Sequence, residues 1–565
     1  MKLTGAQIVI ESLIKENVEV VFGYPGGAIM NVYDEIYKQD KFKHILTKHE
    51  QGAVHMADGY ARATGKVGVA MVTSGPGLTN AVTGIATAYT DSIPMVVISG
   101  QVPTFAIGTD AFQEVDAVGV TRPITKHNFL VKNVDDLAYI IKEAFYLAKS
   151  GRPGPVHIDI PKDVTVAKTK FEYPEKIELK TYKPTYKGNV RAIKRAAEAI
   201  KKAKRPVFYI GGGAVLSGAY QLVRELVKLT KIPAVETLMA RGVLRYDCPY
   251  LMGMVGMHGS YAANMAMNDA DLIISLGARF DDRVTGKIDE FAKNADIVHI
   301  DIDPSQIGKV VPTKYPIVGD LKLVLEEMMP FILDGLDTDR YEEWREILNR
   351  YQELYPLTYK DDDSVIKPQW VIQKTGEIAP EDAVISTDVG QHQMWTAQFY
   401  PFTYPRQLLT SGGLGTMGFG FPAALGAKEG VKDRTVINFT GDGSIMMNIQ
   451  EVLTGYKYKL PVINIILNNN YLGMVRQWQT MFYDDRLSET DLSDVQPDFV
   501  KLAESMGGIG FRVKTKAEFE EALKKALDSK KVAIIDVQVD RREDVLPMVP
   551  PNSPLKNMLV FKEDK

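Results

Sequence analysis

The sequence predicts an α/β protein of three doubly wound parallel-sheet domains. Two observations carry this. Short runs of consecutive apolar residues, each ending in a glycine-containing turn and followed by a helical period, recur along the chain. Runs of that kind are buried on both faces, and repeated strand–turn–helix units build parallel sheets. Length agrees: 565 residues give three or four domains at about 150 residues each.

The elements follow in order. Thr4 caps a helix whose apolar positions Ala6, Ile10, Leu13 and Ile14 keep helical spacing. Val18–Phe22 is a buried strand running into Gly23-Tyr-Pro-Gly-Gly27, and Val67–Val72 and Pro94–Ser99 are two more. Tyr173–Lys187 mixes Pro, Lys and Tyr without periodicity and reads as a linker. The basic stretch Asn189–Lys204 puts Val190, Ile193, Ala197 and Ile200 on one face, so it is a helix with a solvated charged side. Strands at Val207–Ile210, Leu272–Leu276 and Ile297–Asp301 define a middle domain. After a polar stretch from Arg350 to Lys367, strands at Ala383–Ser386, Thr435–Phe439, Val462–Leu467 and Val532–Val537 define a third. The expected domains are 1–172, 188–345 and 368–565.

Composition narrows the function classes. Lys+Arg 67 against Asp+Glu 71 gives a net charge of −4, so no global field draws nucleic acid. One cysteine, Cys248, excludes an intramolecular disulfide and a cysteine-built metal cage. No apolar run approaches the roughly 18–20 residues that span a bilayer. The first residues carry neither a secretory nor an Arg/Ser-rich transit pattern, and a cytoplasmic protein is expected.

The strongest local signal pairs two strand ends. Thr435–Thr440 runs into Gly441-Asp442-Gly443-Ser444, with apolar residues Ile445, Met446, Ile449 and Leu453 continuing as a helix. Pro461–Leu467 runs into Asn468-Asn469-Asn470. In a parallel sheet both ends meet at the carboxyl edge, where ligands of such folds bind. Asp442 and Asn469 are hard oxygen donors suited to Mg²⁺, and two protein ligands leave positions for a diphosphate, a backbone carbonyl and water. Gly441 and Gly443 let the backbone approach phosphates.

Gly-Asp-Gly with Asn-Asn downstream resembles the thiamine diphosphate signature. The resemblance extends over nearly the whole chain to the acetolactate (acetohydroxyacid) synthase catalytic subunits. It is carried by residues 49–62, Thr73–Gly77, Gln101–Gln113, Gly277–Gly286, Thr387–Trp395 and Gly473–Trp478. The Arg279-Phe-Asp-Asp-Arg283 run and Trp478 are its most specific parts. It implies the fold of thiamine diphosphate-dependent decarboxylases and synthases, with a pyrimidine-binding first domain, an FAD-binding middle domain and a diphosphate-binding third domain.

The resemblance also implies roles. Glu50 is the carboxyl that bonds the aminopyrimidine and activates the cofactor, and it works best in a dry site. Gly27, Val389, Gly390, Gln391, His392, Gly415, Gly473, Met474 and Val475 contact the cofactor, and Met417 wedges beneath it. Tyr471 joins Asp442 and Asn469 at the metal; the chain departs from many relatives at Asn470-Tyr471-Leu472, harmlessly if Tyr471 offers only its carbonyl. Arg283 takes the acceptor carboxylate. Trp478 favours an ethyl side chain, and Phe112, Gln113, Lys162 and Met257 complete the pocket, Gln113 and Lys162 being counted with Glu50 as catalytic. Arg152, Gly211, Gly212, Gly213, Met257, His258, Gly259, Gly277, Ala278, Arg279, Asp301, Ile302, Gly319 and Asp320 would line the flavin, although Gly211–Gly218 is not a clean GxGxxG.

The expected function is carboligation. Two pyruvates give 2-acetolactate, and pyruvate with 2-ketobutyrate gives 2-aceto-2-hydroxybutyrate, the first common step of valine, leucine and isoleucine synthesis. The cofactors would be thiamine diphosphate, Mg²⁺ and a catalytically silent FAD. With Glu50 and Asp442 in different domains, the family pattern implies active sites between subunits of a homodimer or tetramer, with a possible small regulatory subunit. The alternative on the same scaffold is an FAD-dependent pyruvate oxidase, which needs neither Arg283 nor Trp478. A silent cofactor-binding protein would not need Glu50 beside the Asp442/Asn469 pair. Asp544–Pro551 and the stretch near Leu487 are expected to close over the site.

Overall fold

The computed structural model describes residues 2–561. Three six-stranded sheets, parallel throughout, account for the three domains. In the first, the order is Lys43–Leu46, Val20–Gly23, Gly68–Val72, Met95–Gln101, Pro155–Pro161 and His127–Leu130. In the middle one it is Leu251–Met254, Ala234–Glu236, Pro206–Ile210, Leu272–Leu276, Asp296–Asp301 and Tyr315–Val318. In the third it is Leu408–Leu409, Val384–Thr387, Val436–Thr440, Val462–Asn468, Ala533–Gln538 and Ile509–Val513.

Each sheet reverses its winding direction near its middle, and a crevice opens at the carboxyl edge at that point; the first and third sheets also turn back once at their far edge. In the first sheet it lies between Val20–Gly23 and Gly68–Val72, so the turns bearing Gly27 and Gly75 flank it. The middle sheet reverses between Pro206–Ile210 and Leu272–Leu276, bringing Gly211–Gly213 opposite Gly277–Ala278. The third reverses between Val384–Thr387 and Val436–Thr440, bringing Val389–His392 opposite Gly441–Ser444. Three crevices of one design follow from one winding rule.

Local chemistry matches the sequence in most places. Thr4 accepts from the Gln7 amide in a reciprocal capping box. Ile193, Ala197 and Ile200 are buried on the basic helix Val190–Lys202, whereas Val190 is exposed. The run after Ser444 departs from expectation. It is not one helix but a turn of helix at Asp442–Ile445, a 3-10 turn at Ile449–Glu451 and a helix at Val452–Tyr458. Met446, Met447 and Leu453 consequently point outward. Asp544–Pro551 is likewise no loose flap: Val545 and Met548 are buried, and the fully buried Arg476 bonds Asp544 Oδ1 (2.8 Å) and the Glu543 carbonyl (2.7 Å).

The first and third domains share one core. The cluster containing Phe22, Val72, Val97 and Ile85 continues without a break into Val384, Val436, Val462 and Ile534. At its centre the helices Glu50–Thr64 and Gly420–Gly430 cross in contact. A Cβ on Gly59 would collide with the Ala423 carbonyl, and one on Gly426 with the Met56 carbonyl. Only hydrogen at these two positions permits this backbone approach.

Glu451 of the third domain closes the same joint. Its buried carboxyl accepts from the Lys48 amide (2.9 Å) and from Thr454 Oγ1 (2.6 Å). Burial pushes this carboxyl from its ordinary 4.5 to about 7. A carboxyl with a raised folded pKa binds its proton more tightly in the native state, so stability falls as pH rises between about 4.5 and about 7. Glu451→Gln should remove that fall, up to about 3 kcal/mol across the window. Chemical denaturation of both proteins at pH values spanning it would show parallel curves if Glu451 were already ionised in the native state.

Candidate active site

The crevices of the middle and third domains open into a single cavity of about 850 Å³. Its third-domain end brings together Val389, Gly390, Gln391, His392, Gly415, Met417, Gly441, Asp442, Gly443, Ser444, Asn469, Tyr471, Gly473, Met474, Val475 and Trp478. The middle-domain end is lined by Arg152, Gly211, Gly212, Gly213, Met257, His258, Gly277, Ala278, Arg279, Arg283, Asp301, Ile302 and Asp320. Gly259 and Gly319 do not border it. Gly259 is folded against the Met254 carbonyl and Gly319 against Gly188.

The donors at the third-domain end fit a hard divalent cation. Asp442 is buried, its Oδ2 accepts from Gln496 Nε2, and its Oδ1 has no hydrogen-bond partner. Burial pushes its carboxyl up to about 7. An oxygen anion this dry and half-partnered is costly, and a bound cation would offset that cost. Asn469 is held by its amide, which donates to Gln391 Oε1 at 3.1 Å, while its Oδ1 accepts from the Tyr471 amide at 3.1 Å. The Tyr471 ring packs beneath the Arg541 guanidinium (4.6 Å to the ring centre), which leaves the backbone carbonyl as its donor to the site. Burial holds the His392 imidazole neutral, at about 3, and its Nε2 is also unpartnered.

The middle-domain end has the close backbone approach that a dinucleotide needs. Gly213 and Gly277 face each other so tightly that a Cβ on Gly213 would lie 2.8 Å from the Gly277 Cα. Gly277 also holds φ +64°. Of the expected acids, Asp320 is engaged as a helix cap, accepting from the Lys322 (3.0 Å) and Leu323 (3.2 Å) amides. Asp301 is partly buried, and desolvation pushes its carboxyl up to about 6. Between the two ends, Arg283 is exposed and its nearest acid is Asp282 at 4.0 Å, since Asp281 is taken by Arg279 (2.7 Å). Its guanidinium is free for a carboxylate. Trp478 is half-buried, edge-on to Phe482.

Glu50, Gly27, Phe112, Gln113 and Lys162 do not border this cavity. They gather instead at the carboxyl edge of the first sheet. Phe112 is 89% exposed and Gly27 and Lys162 are exposed. Glu50 is not in the dry place that its expected role requires: it is partly exposed and accepts from Asn80 Nδ2 at 3.0 Å. The shared core explains this, because it fixes the first domain so that its crevice and that of the third domain in the same chain do not meet.

Models of one enzyme family match three stretches of the chain. The family model described as the N-terminal TPP binding domain of thiamine pyrophosphate enzymes matches residues 3–120. The models for their central domain and C-terminal TPP binding domain match 193–328 and 388–537. The isozyme 3 large subunit of acetolactate synthase from Escherichia coli K12 is 48% identical over 554 residues, covering 97% of this chain and 96% of that protein. The acetolactate synthase large subunit of Haemophilus influenzae is 48% identical, covering 99% of each. A probable acetolactate synthase large subunit of Methanocaldococcus jannaschii is 47% identical, covering 99% and 95%.

The chain belongs to the acetolactate synthase large-subunit family. It is a thiamine diphosphate enzyme of three α/β domains.

Several residues of this family member were not legible from its motifs. Asp388 is fully buried and spans the third-domain crevice, accepting from the Gly420 amide (2.8 Å) and Thr440 Oγ1 (2.7 Å). Gln477 holds Gln391 (2.9 Å) and the Val545 amide (2.8 Å), tying the C-terminal segment to the cofactor end. Arg62 and Asp91 of the first domain clamp the loop that leads to Met417. Asp91 accepts from Arg62 Nη2 (2.9 Å) and from the Gly412 (3.0 Å) and Gly413 (2.8 Å) amides, and Arg62 Nη1 donates to the Thr410 carbonyl (2.8 Å). All four bonds to the loop or within the clamp use backbone or paired charge, so the Gly-rich loop sequence itself gives no sign of them.

Removing Asp91 leaves Arg62 short of one carboxylate and frees two amides. Asp91→Ala should cost about 3–5 kcal/mol of stability, the usual price of breaking a buried pair, and should weaken thiamine diphosphate binding. Denaturant midpoints and cofactor titration read the two effects separately. An unchanged cofactor affinity would show that the loop holds Met417 without the clamp.

Proposed function

We propose that two copies of this chain join to form the active sites of an acetolactate synthase, each site pairing the first-domain edge of one copy with the cavity of the other. The carrying observation is the separation of Glu50 from the cavity that holds Asp442 and Asn469. Exposed apolar residues on both surfaces support it: Met30, Phe105 and Phe112 on the first domain, and Leu414, Met446 and Val475 on the third. The substrates are pyruvate and 2-ketobutyrate, and the products are 2-acetolactate and 2-aceto-2-hydroxybutyrate, with one CO₂ released for each. The relatives are designated large subunits, which supports a smaller companion chain here too.

Bound thiamine diphosphate supplies the electron sink that decarboxylation of a 2-ketoacid requires. Asp442, Asn469 and the Tyr471 carbonyl would hold Mg²⁺ against the diphosphate, with His392 and Ser444 beside it. Met417 would fill the space beneath the bend of the cofactor. The partner subunit's Glu50, dried by the interface, would hold a proton at the pyrimidine nitrogen. Arg283 would bind the acceptor carboxylate, and the Trp478 edge would shape the pocket for an ethyl group. Gly27, Phe112, Gln113 and Lys162 would close the site from the partner's side and exclude water that would quench the reaction.

FAD would lie in the middle-domain half of the cavity against Gly211–Gly213 and Gly277–Arg279. Condensing two ketoacids with loss of CO₂ involves no net oxidation, so its part is structural. The oxidase reading gains no support: the relatives named above are synthases, and the free Arg283 serves an acceptor that an oxidase does not have.

Glu50→Gln should keep Mg²⁺-dependent cofactor binding and lose about 10²–10⁴-fold in turnover. Full activity in the folded variant would remove Glu50 from its role. Trp478→Leu should lower the preference for 2-ketobutyrate in a competition assay, and an unchanged product ratio would count against the pocket assignment. Anaerobic pyruvate should give acetolactate with the flavin still oxidised; bleached flavin with little acetolactate would restore the oxidase.

A further inference from the structure

The first domain buries a serine, a histidine and an aspartate that the reaction above does not use. Ser99 and Gln101 sit on one face of the Met95–Gln101 strand, and His157 and Asp159 on the same face of the neighbouring Pro155–Pro161 strand. Register places Ser99 opposite Asp159. All four are buried. Ser99 Oγ lies 2.6 Å from Asp159 Oδ1 and 2.7 Å from His157 Nε2. The carboxyl contacts the serine rather than the far side of the imidazole, and none of the three borders the cavity, so this is not a nucleophile with its base.

Counting protons fixes the state of the network. Asn128 spends its two N–H groups on the Val118 carbonyl (2.7 Å) and Thr121 Oγ1 (2.9 Å). Thr121 gives its single hydroxyl proton to the Ala117 carbonyl at 2.7 Å. His157 Nδ1, 3.2 Å from the same hydroxyl, must therefore be the donor there. Burial holds His157 far below its ordinary pKa, at about 3, so the ring is neutral and its Nε2 is an acceptor. Ser99 fills that acceptor with its only proton. The remaining 2.6 Å contact then needs a proton from Asp159 Oδ1.

The surroundings agree. Asp116, at the start of the Ala117–Thr121 helix over this face, is a like charge that raises the cost of ionising Asp159, and its own carboxyl caps the Gly119 amide. The buried residues of the Pro76–Thr90 helix include no titratable group. His127, on the flanking strand, pairs with Val156 and so belongs to the opposite face. Burial pushes Asp159 up to about 7.

Gln101 carries this state outward. Its Nε2 donates to Asp159 Oδ2 (2.9 Å) and to the Val115 carbonyl (3.0 Å), and its Oε1 accepts from the Val102 amide (2.8 Å). One side chain thus holds both ends of the segment 102–115, whose tip bears Phe112 and Gln113. We propose that Asp159 is a neutral carboxylic acid and a positioning residue, holding through Gln101 the segment that presents Phe112 and Gln113 to the reaction. The positioning half of this rests on the reading of those two residues as parts of the substrate pocket. Ionisation of Asp159 would reverse the chain of donors, turning Ser99 toward the carboxylate and drawing the Thr121 proton away from Ala117.

An amide at 159 can donate to Ser99 and accept from Gln101 as the neutral acid does. In the holoenzyme, Asp159→Asn should keep kcat/KM within about twofold at neutral pH, whereas Asp159→Ala should lose about 10–100-fold, the scale of a pocket misplaced by ~1 Å. The alkaline limb of the wild-type kcat/KM profile should disappear in Asp159→Asn. The wild-type minus Asp159→Asn infrared difference spectrum should hold a protonated-carboxyl C=O band that shifts in D₂O; this arm needs no activity and no second variant. Absence of that band at neutral pH, or an Asp159→Asn loss as large as that of Asp159→Ala, would overturn the proposal. A band with normal kinetics in Phe112→Ala and Gln113→Ala would instead overturn the pocket reading on which the positioning role rests.

Discussion

Two helices without room for a methyl group between them determine how this molecule works. Where Glu50–Thr64 crosses Gly420–Gly430, backbone touches backbone through Gly59 and Gly426. The apolar residues around that crossing form one core spanning the first and third sheets. Two domains that share a core cannot swing relative to one another without exposing it. Their crevices are therefore fixed in direction. The first-domain edge, with Glu50, Phe112 and Lys162, is carried away from the cavity that holds Asp442, and in the proposed assembly each half would be completed by another copy.

Dry carboxyls recur through the first and third domains, in the cavity and beyond it. Asp442, Asp388, Glu451 and Asp159 are all carboxyls in dry surroundings, each raised by burial. Asp388 and Glu451 are satisfied by amide and hydroxyl donors, which hold the backbone around them in place. Asp442 keeps one oxygen unpartnered, which would leave it open to a cation. Binding of cofactor and a cation there would stabilise the folded state by linkage, because the unfolded chain offers no such arrangement.

Much of this was legible in the sequence because parallel sheets place strand ends together. The Gly441-Asp442-Gly443 and Asn468-Asn469-Asn470 ends meet where the winding rule puts them, and Arg283 and Trp478 reach the same cavity. What escaped was contact between segments far apart in the chain. Nothing in Tyr-Thr-Asp91-Ser announces a clamp on Gly412, and nothing in Val-His157-Ile-Asp159 announces that both side chains lie on one face against Ser99. The broken helix after Ser444 escaped for a different reason. Met446 and Leu453 have the spacing of a buried stripe, yet they face outward because the chain breaks into separate turns there.

The central claim is that Glu50 and Asp442 act together from different chains. Glu50→Gln and Asp442→Ala, each inactive alone, should be unfolded or dissociated together and reassembled as a mixture. A mixed dimer holds one site with both residues intact and one with neither, so random pairing should restore roughly a quarter of wild-type activity. Inactive mixtures in which mixed dimers have demonstrably formed would place both residues in the same chain's site and contradict the account.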